Sequence, residues 1–291
     1  MTQSSNQPAS HLGSDPKCDG QVTVKINGAD VTVDEGATIL DACTQAGVDT
    51  PTICYAENLA PVNACRVCVV EVAGNRTLVP SCSRPAEDAM VIQTDSDRVR
   101  HSRKMVLEFL GTANDLSQAP EINQWSEDYG VDITRYAEGA ERFDQPVKVQ
   151  DHLYIRDYDK CVLCYKCVDA CGEEAQFTFA IAMSGRGFDN RISTEFDVTL
   201  PDSACVYCGN CIGVCPTNAL QFRTEFDLRE ANNWREEDQS VTRTVCSYCG
   251  VGCNLELHVQ DNEIVKVTSP ADHEVTNGHL CIKGRFGWKY V

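Results

Sequence analysis

A chain of 291 residues with 43 acidic against 25 basic side chains carries a formal net charge of −18. That balance excludes the basic footprint of a nucleic-acid binder. No apolar run reaches the ~20 residues of a membrane span, and the polar stretch Met1–Gly20 has no signal-peptide core. Eighteen cysteines in such a chain predict metal or redox chemistry in a reducing, cytoplasmic compartment, not a disulfide framework.

Residues 1–20 are expected to be a disordered tail, with Cys18 a free thiol. Residues 21–94 form the first domain. Val22, Val24 and Ile26 alternate with polar residues, Asn27-Gly28 turns the chain, and Val31 and Val33 alternate again, which predicts a β-hairpin. Thr38 with Asp41 predicts a capped helix through Ile39, Leu40, Ala42 and Cys43, closed by Gly47. Cys43 is expected to be a buried structural thiol. Cys54, Cys65, Cys68 and Cys82 follow, spaced C-x10-C-x2-C-x13-C, and are the candidate ligands of an iron–sulfur cluster.

Residues 95–150 read as a helical linker. Asp95 to Leu110 has acidic residues at its start and an apolar stripe of Val99, Val106, Phe109 and Leu110, with His101 facing solvent. Residues 111–150 contain no cysteine.

Residues 151–225 hold two copies of one run: Cys161, Cys164, Cys167, Cys171, then Cys205, Cys208, Cys211, Cys215-Pro216. Zinc sites use paired C-x2-C motifs but not the run C-x2-C-x2-C-x3-C. Two-cluster ferredoxins do, and there the fourth Cys ligates the other cluster. The predicted 4Fe–4S sets are therefore crossed: Cys161, Cys164, Cys167 with Cys215, and Cys205, Cys208, Cys211 with Cys171. The repeat implies pseudo-twofold symmetry, interrupted by an insertion from Glu173 to Pro201. His152 stands near these sets, but none lacks a ligand. Residues 226–240 are charged and polar, and are expected to be a linker or surface helix.

Residues 241–291 carry Cys246, Cys249, Cys253 and Cys281, spaced C-x2-C-x3-C-x27-C, around two strand-like runs at Leu255–Val259 and Ile264–Val267. They read as a small β-rich domain with a further iron–sulfur cluster. Ile282, Phe286, Trp288 and Tyr290 are expected to form an exposed apolar face through which residues 278–291 meet a partner. The fold class is α+β in these separate modules.

Three stretches resemble known families. The hairpin, helix and wide first cysteine gap resemble the β-grasp 2Fe–2S ferredoxin domain of the large iron–sulfur subunit of respiratory complex I, of NAD-linked formate dehydrogenases and of iron-only hydrogenases. Those families open a one-histidine, three-cysteine cluster after the helix; Gly111 to Asp115 offers no such start, so that cluster is expected to be lost. The bacterial ferredoxin-like module, with its insertion at Gly185 to Asp189, resembles that of formate dehydrogenase alpha subunits. The segments Cys246–Cys253 and Asn277–Trp288 closely resemble the N-terminal cluster domain of molybdopterin oxidoreductases. There the Lys two residues past the last ligand lies between cluster and pterin; Lys283 is the matching position.

The resemblance implies the electron-transfer part of a formate dehydrogenase-like oxidoreductase, with one 2Fe–2S and three 4Fe–4S clusters and no catalytic residue of its own. Molybdopterin guanine dinucleotide with molybdenum or tungsten is expected in a pterin-containing catalytic partner, and flavin and NAD on other iron–sulfur subunits. Electrons would run from the Cys246 cluster to the 2Fe–2S cluster, or back. The chain stops at Val291, ten residues past Cys281, so the catalytic part is expected on a separate polypeptide, unless this is a fragment. Two alternatives stay open: an electron-input subunit of a hydrogenase or complex I-like assembly, and a free polyferredoxin.

Overall fold

The computed structural model describes residues 20–140 and 145–290; the expected tail with Cys18, apart from Gly20, and the side chain of Tyr290 lie outside what it describes. Strands β1 (Gln21–Ile26) and β2 (Ala29–Asp34) pair antiparallel around Asn27 and Gly28, whose φ angles of 49° and 94° are those a tight hairpin turn requires. Helix α1 (Ile39–Gln45) starts with the capping box: Thr38 Oγ1 accepts from the Asp41 amide at 3.1 Å and Asp41 Oδ2 from the Thr38 amide at 2.8 Å. It ends at Ala46, with Gly47 next at φ 70°. Strands β3 (Val69–Val72), β4 (Val79–Pro80) and β5 (Val91–Gln93) complete a five-stranded sheet in the order β2-β1-β5-β3-β4, with β1 and β5 parallel. Val24, Ile26, Ile39, Cys43, Val70 and Ile92 fill the core between sheet and helix, so Cys43 is a buried apolar side chain.

Helix α2 (Asp97–Ala113) is capped by Ser96, and α3 (Pro120–Asp128) follows. The expected stripe of α2 is kept except at Phe109: Val99 is buried, and Val106 and Leu110 pack half-buried on the core. Val99, Arg103 and Leu107, spaced by four, point inward, whereas Phe109 is 49% exposed and packs on Tyr136 at 4.7 Å between ring centroids. His101 is exposed. Leu107 and Ile122 form one core with Ile53, Cys54, Val67 and Cys164. The cysteine-free segment is thus apolar mortar between the first domain and the next.

The next unit is built on a two-stranded antiparallel ribbon and two short helices. In chain order these are β6 (Tyr154–Arg156), α4 (Lys166–Cys171), the insertion hairpin β7 (Ala182–Ser184) and β8 (Arg191–Ser193), α5 (Asn210–Gly213) and β9 (Leu220–Phe222), which pairs with β6. Helix α6 (Arg223–Glu230) leads into the stretch expected as a linker. Trp234 in that stretch lies between the Arg229 guanidinium at 5.1 Å and the Lys266 ammonium at 5.0 Å. The last unit is the antiparallel sheet β10 (Ser240–Val245), β11 (Asn254–Gln260), β12 (Glu263–Thr268), closed by α7 (Ile282–Phe286). Among the described residues no helix is long and apolar enough to cross a membrane.

Candidate iron–sulfur centres

Every described cysteine is a free thiol, and sixteen of them converge in four places. In the first, the loop after α1 brings Cys54 beside Cys65, whose amide donates to Cys54 Sγ at 3.4 Å, and the β3 loop brings Cys68 to within 3.4 Å of Cys82 Sγ. Asn63 and Arg66, with φ 61° each, curl the backbone around this group. Cys54, Cys68 and Cys82 are buried and Cys65 half-buried. The hydrogen bond to Cys68, then burial, raises Cys82, while the same contact lowers Cys68 to about 6. A thiolate is favoured here once a cation is present to hold it.

The second and third groups lie around α4 and α5. Cys161, Cys164, Cys167 and Cys215 wall one recess. Cys171, Cys205, Cys208 and Cys211 wall another. The crossed sets read from the spacing are therefore the ones the fold brings together. The two runs turn the same way: Leu163 and Tyr165 have φ 53° and 68°, and Tyr207 and Gly209, at the equivalent positions, 57° and 72°. These left-handed residues fold each C-x2-C-x2-C segment around its recess, where an extended chain would splay the thiols apart.

Burial pushes Cys161 up to about 12 and Cys164 up to about 11, and raises Cys167 and Cys211 well above the ordinary thiol value. As neutral thiols they would be inert; a polynuclear iron centre that accepts them as thiolates removes that penalty. Hydroxyls face the sulfurs as well. Tyr154 Oη lies 3.2 Å from Cys205 Sγ and Thr178 Oγ1 3.3 Å from Cys171 Sγ. Among the described residues no three His, Cys, Asp or Glu could hold a single metal ion. A cluster spreads its ligands around several irons, so donor set and spacing fit 2Fe–2S and 4Fe–4S groups better than zinc.

In the fourth group Cys246 is buried, Cys253 half-buried, and Cys249 and Cys281 exposed. The Cys246 amide donates to the Cys253 carbonyl at 2.8 Å, and Cys281 heads α7. Cys246, Cys281 and Cys249 act together on the Cys253 thiol, whose pKa burial raises first. Lys283 stands exposed in the first turn of α7.

The expected apolar face at the C-terminus is only partly there. Ile282 is 40% exposed. Phe286 is buried against Tyr154 and Phe222 of the preceding unit, at 6.1 and 5.6 Å, and Trp288 donates to the Arg285 carbonyl. Phe286 thereby pins the fourth unit to the third, while Ile282 and Lys283, one turn earlier on α7, stay exposed. Val245 and Val251 join Ile282 as exposed apolar side chains near the fourth group.

Sequence reasoning missed the residues that join the four groups. Cys54, Cys65 and Cys164 share one apolar cluster, and Lys166 Nζ reaches the Tyr55 carbonyl at 3.4 Å. Ala56 and Leu59, in the ten-residue gap between Cys54 and Cys65, pack on Ala170 and Val214. Asn210 Oδ1 accepts from the Leu280 amide at 2.9 Å and from Arg285 Nη2 at 3.1 Å. A side chain at Gly209 would sit 2.9 Å from Arg285 Cγ and 3.0 Å from the Phe286 ring, so only glycine lets α7 dock. The one signal in the sequence was the length of the Cys54–Cys65 gap.

Comparison with known proteins agrees with this series. Residues 19–97 match the model of a 2Fe-2S iron-sulfur cluster binding domain, 160–219 a 4Fe-4S dicluster domain, and 239–291 the molybdopterin oxidoreductase Fe4S4 domain. The chain is 33% identical over 279 residues to an NADH-quinone oxidoreductase subunit of Rhizobium meliloti, and 26% over 309 residues to "Putative formate dehydrogenase SH0748" of Staphylococcus haemolyticus. The alignments take in 93% and 92% of this chain but 31% of each relative, so the chain spans about a third of the relatives it matches. Its fold is similar to a chain of an NAD+-reducing [NiFe]-hydrogenase in the H2-reduced state, with TM-score 0.62 and 23% identity over 69% of this chain and 87% of that one.

Proposed function

We propose, from the premise that this chain joins a 2Fe-2S domain, a 4Fe-4S dicluster domain and a molybdopterin oxidoreductase Fe4S4 domain, that it is the electron-relay part of a formate dehydrogenase-like complex. The observation that carries this reading is the contrast between the four cysteine groups. The first three are buried or half-buried and packed in series, while the fourth exposes Cys249 and Cys281 beside Lys283. An exposed thiolate pair next to a cation and apolar side chains suits coverage by an anionic, pterin-carrying partner.

The assigned holders are Cys54, Cys65, Cys68 and Cys82 for a 2Fe–2S cluster in a β-grasp frame. For 4Fe–4S clusters they are Cys161, Cys164, Cys167 and Cys215; Cys171, Cys205, Cys208 and Cys211; and Cys246, Cys249, Cys253 and Cys281. Bound clusters supply one-electron transfer. The chain supplies thiolates at fixed positions, left-handed turns that aim them, and apolar packing that keeps water from the middle two recesses. Lys283 offers a positive charge at the partner-facing end; a flavin- and NAD-binding partner is assigned to the 2Fe–2S end.

Metal analysis of the copurified complex tests the reading: molybdenum or tungsten is expected with a larger partner chain. Formate should reduce the clusters in stopped flow, and Lys283→Ala should slow that reduction while leaving iron content and reduction by NADH unchanged. Nickel, or no further metal, would favour a second reading, an electron-input subunit of a hydrogenase or complex I-like assembly. That reading draws on the higher identity to the NADH-quinone oxidoreductase chain and on the hydrogenase-like fold.

A further inference from the structure

Two of the largest fully buried side chains in the molecule are arginines that flank a single cysteine group. Arg285 is 0% exposed and Arg156 1%. Among the described residues neither has a carboxylate partner. Arg285 donates only to Asn210 Oδ1 at 3.1 Å and to the Val267 carbonyl at 3.5 Å, and its buried Nε has no hydrogen-bond partner. Arg156 donates to Gln150 Oε1 and to Tyr158 Oη. A buried cation without counter-charge is strongly disfavoured, and such groups persist where a compensating charge belongs.

Both point to the same place. Arg156 lines the recess walled by Cys171, Cys205, Cys208 and Cys211. Arg285 comes from α7 of the fourth unit and packs against Gly209 and Gly213, inside the Cys208–Cys215 stretch; the thiols that act on its charge are Cys208 and Cys211. Nearby carboxylates do not intervene: Asp157, the acid closest in sequence to Arg156, is bound to Lys160.

We propose that Arg285 and Arg156 are the built-in counter-charge of the cluster held by Cys171, Cys205, Cys208 and Cys211, and that they raise its reduction potential. A 4Fe–4S group on four thiolates is a net anion that gains a further negative charge on reduction. Two fixed cations in a water-poor recess therefore favour the reduced form. Because Arg285 belongs to the fourth unit, docking of that unit sets the potential of the cluster in the unit before it. The inference goes beyond the reading of partner and substrate, since it concerns only groups within this chain.

The test is a redox titration of the intact chain followed by electron paramagnetic resonance. The signal of this site is assigned as the one lost in Cys205→Ser; if the wild type shows no such 4Fe–4S signal, it is the cluster assignment that fails. Arg285→Gln should load its iron and shift that midpoint negative by at least tenfold in the reduction equilibrium, about 59 mV for one electron. Arg285→Lys should stay near wild type, and Arg156→Gln should shift the same signal negative. An Arg285→Gln protein with full iron content and an unchanged midpoint overturns the proposal. Should Arg285→Gln fail to load the site, Arg285→Lys decides. Loading by Lys shows that the charge is what matters, and failure of both shows that the residue acts by packing alone and sinks the idea.

Discussion

Asn58 Nδ2 donates to the carbonyl of Asn277 at 2.9 Å, across 219 positions of sequence. Asn58 lies in the gap between the first two cysteines of the first group, and Asn277 just before the last cysteine of the fourth. With Tyr55, Ala56 and Leu59 on the middle unit, this gap clasps three units together. Rigid spacing is what an electron relay needs from its protein, and the clasp gives the long C-x10-C spacing a physical purpose.

Leu59 is 6% exposed, and Leu59→Ala should cost about 2–3 kcal/mol through lost burial and the void left behind. Asn58→Ala should cost about 1 kcal/mol. Hydrogen exchange is the measure: amides at 277–281 and 166–171 should lose protection while the five-stranded sheet keeps its own. Uniform loss across the chain would mean that the gap loop stabilises only its own domain.

Cys171→Ser should remove the cluster associated with Cys205, Cys208 and Cys211 and spare the one associated with its sequence neighbours, because the two recesses are walled crosswise. Resonance Raman or paramagnetic resonance spectra of the variant, compared with Cys215→Ser, tell the two apart. Loss of the same signal in both variants would contradict the crossing.

Anaerobically purified chain should contain about fourteen iron atoms, two from one 2Fe–2S and twelve from three 4Fe–4S clusters. Cys43, buried in the apolar core of the first sheet, should remain unmodified by thiol reagents in the folded state. An iron assay near eighteen would require a further cluster, and with it another account of the α2–α3 segment.

His258 in β11 is lowered from 6.5 to about 4, by burial first and then by Lys266; its Nε2 lies 2.9 Å from Thr268 Oγ1. A depressed histidine contributes stability that is complete above its unfolded pKa and is lost as pH falls toward the folded one. Between pH 6.5 and about 4 the unfolded chain takes up the proton that the folded one refuses. The half-exposed position limits the effect to about 1–2 kcal/mol. Melting temperature should therefore fall on acidification from pH 7 to 5, and His258→Gln should flatten that slope. An equal slope in the variant would assign the pH dependence to other groups.

Local rules made the hairpin, the capping box and the four cysteine sets legible in advance. Each depends on residues a few positions apart, or on a spacing that iron–sulfur centres use. The crossed grouping follows from the ferredoxin rule that the fourth Cys of such a run serves the other cluster, and the same two sets wall the two recesses. The face of α2 was less so: Leu107 and Phe109 are equally apolar, and only the position of α3 decides which is covered. Phe286 was expected outward for its hydrophobicity, yet the third unit supplies Tyr154 and Phe222 to receive it.

What the sequence determined by itself is the chemistry: sixteen thiols in four sets, on an acidic chain, with a lysine past the last of them. What only the tertiary structure decided is how the sets communicate. Arg285 is a charged residue in a short C-terminal segment, and nothing in its neighbours along the chain marks it. Its burial against Gly209, Asn210 and the Cys208–Cys211 turn arises because α7 docks on a unit some seventy residues earlier. Contacts of that kind come from surfaces meeting, and a pattern read along one chain holds no information about which surfaces meet.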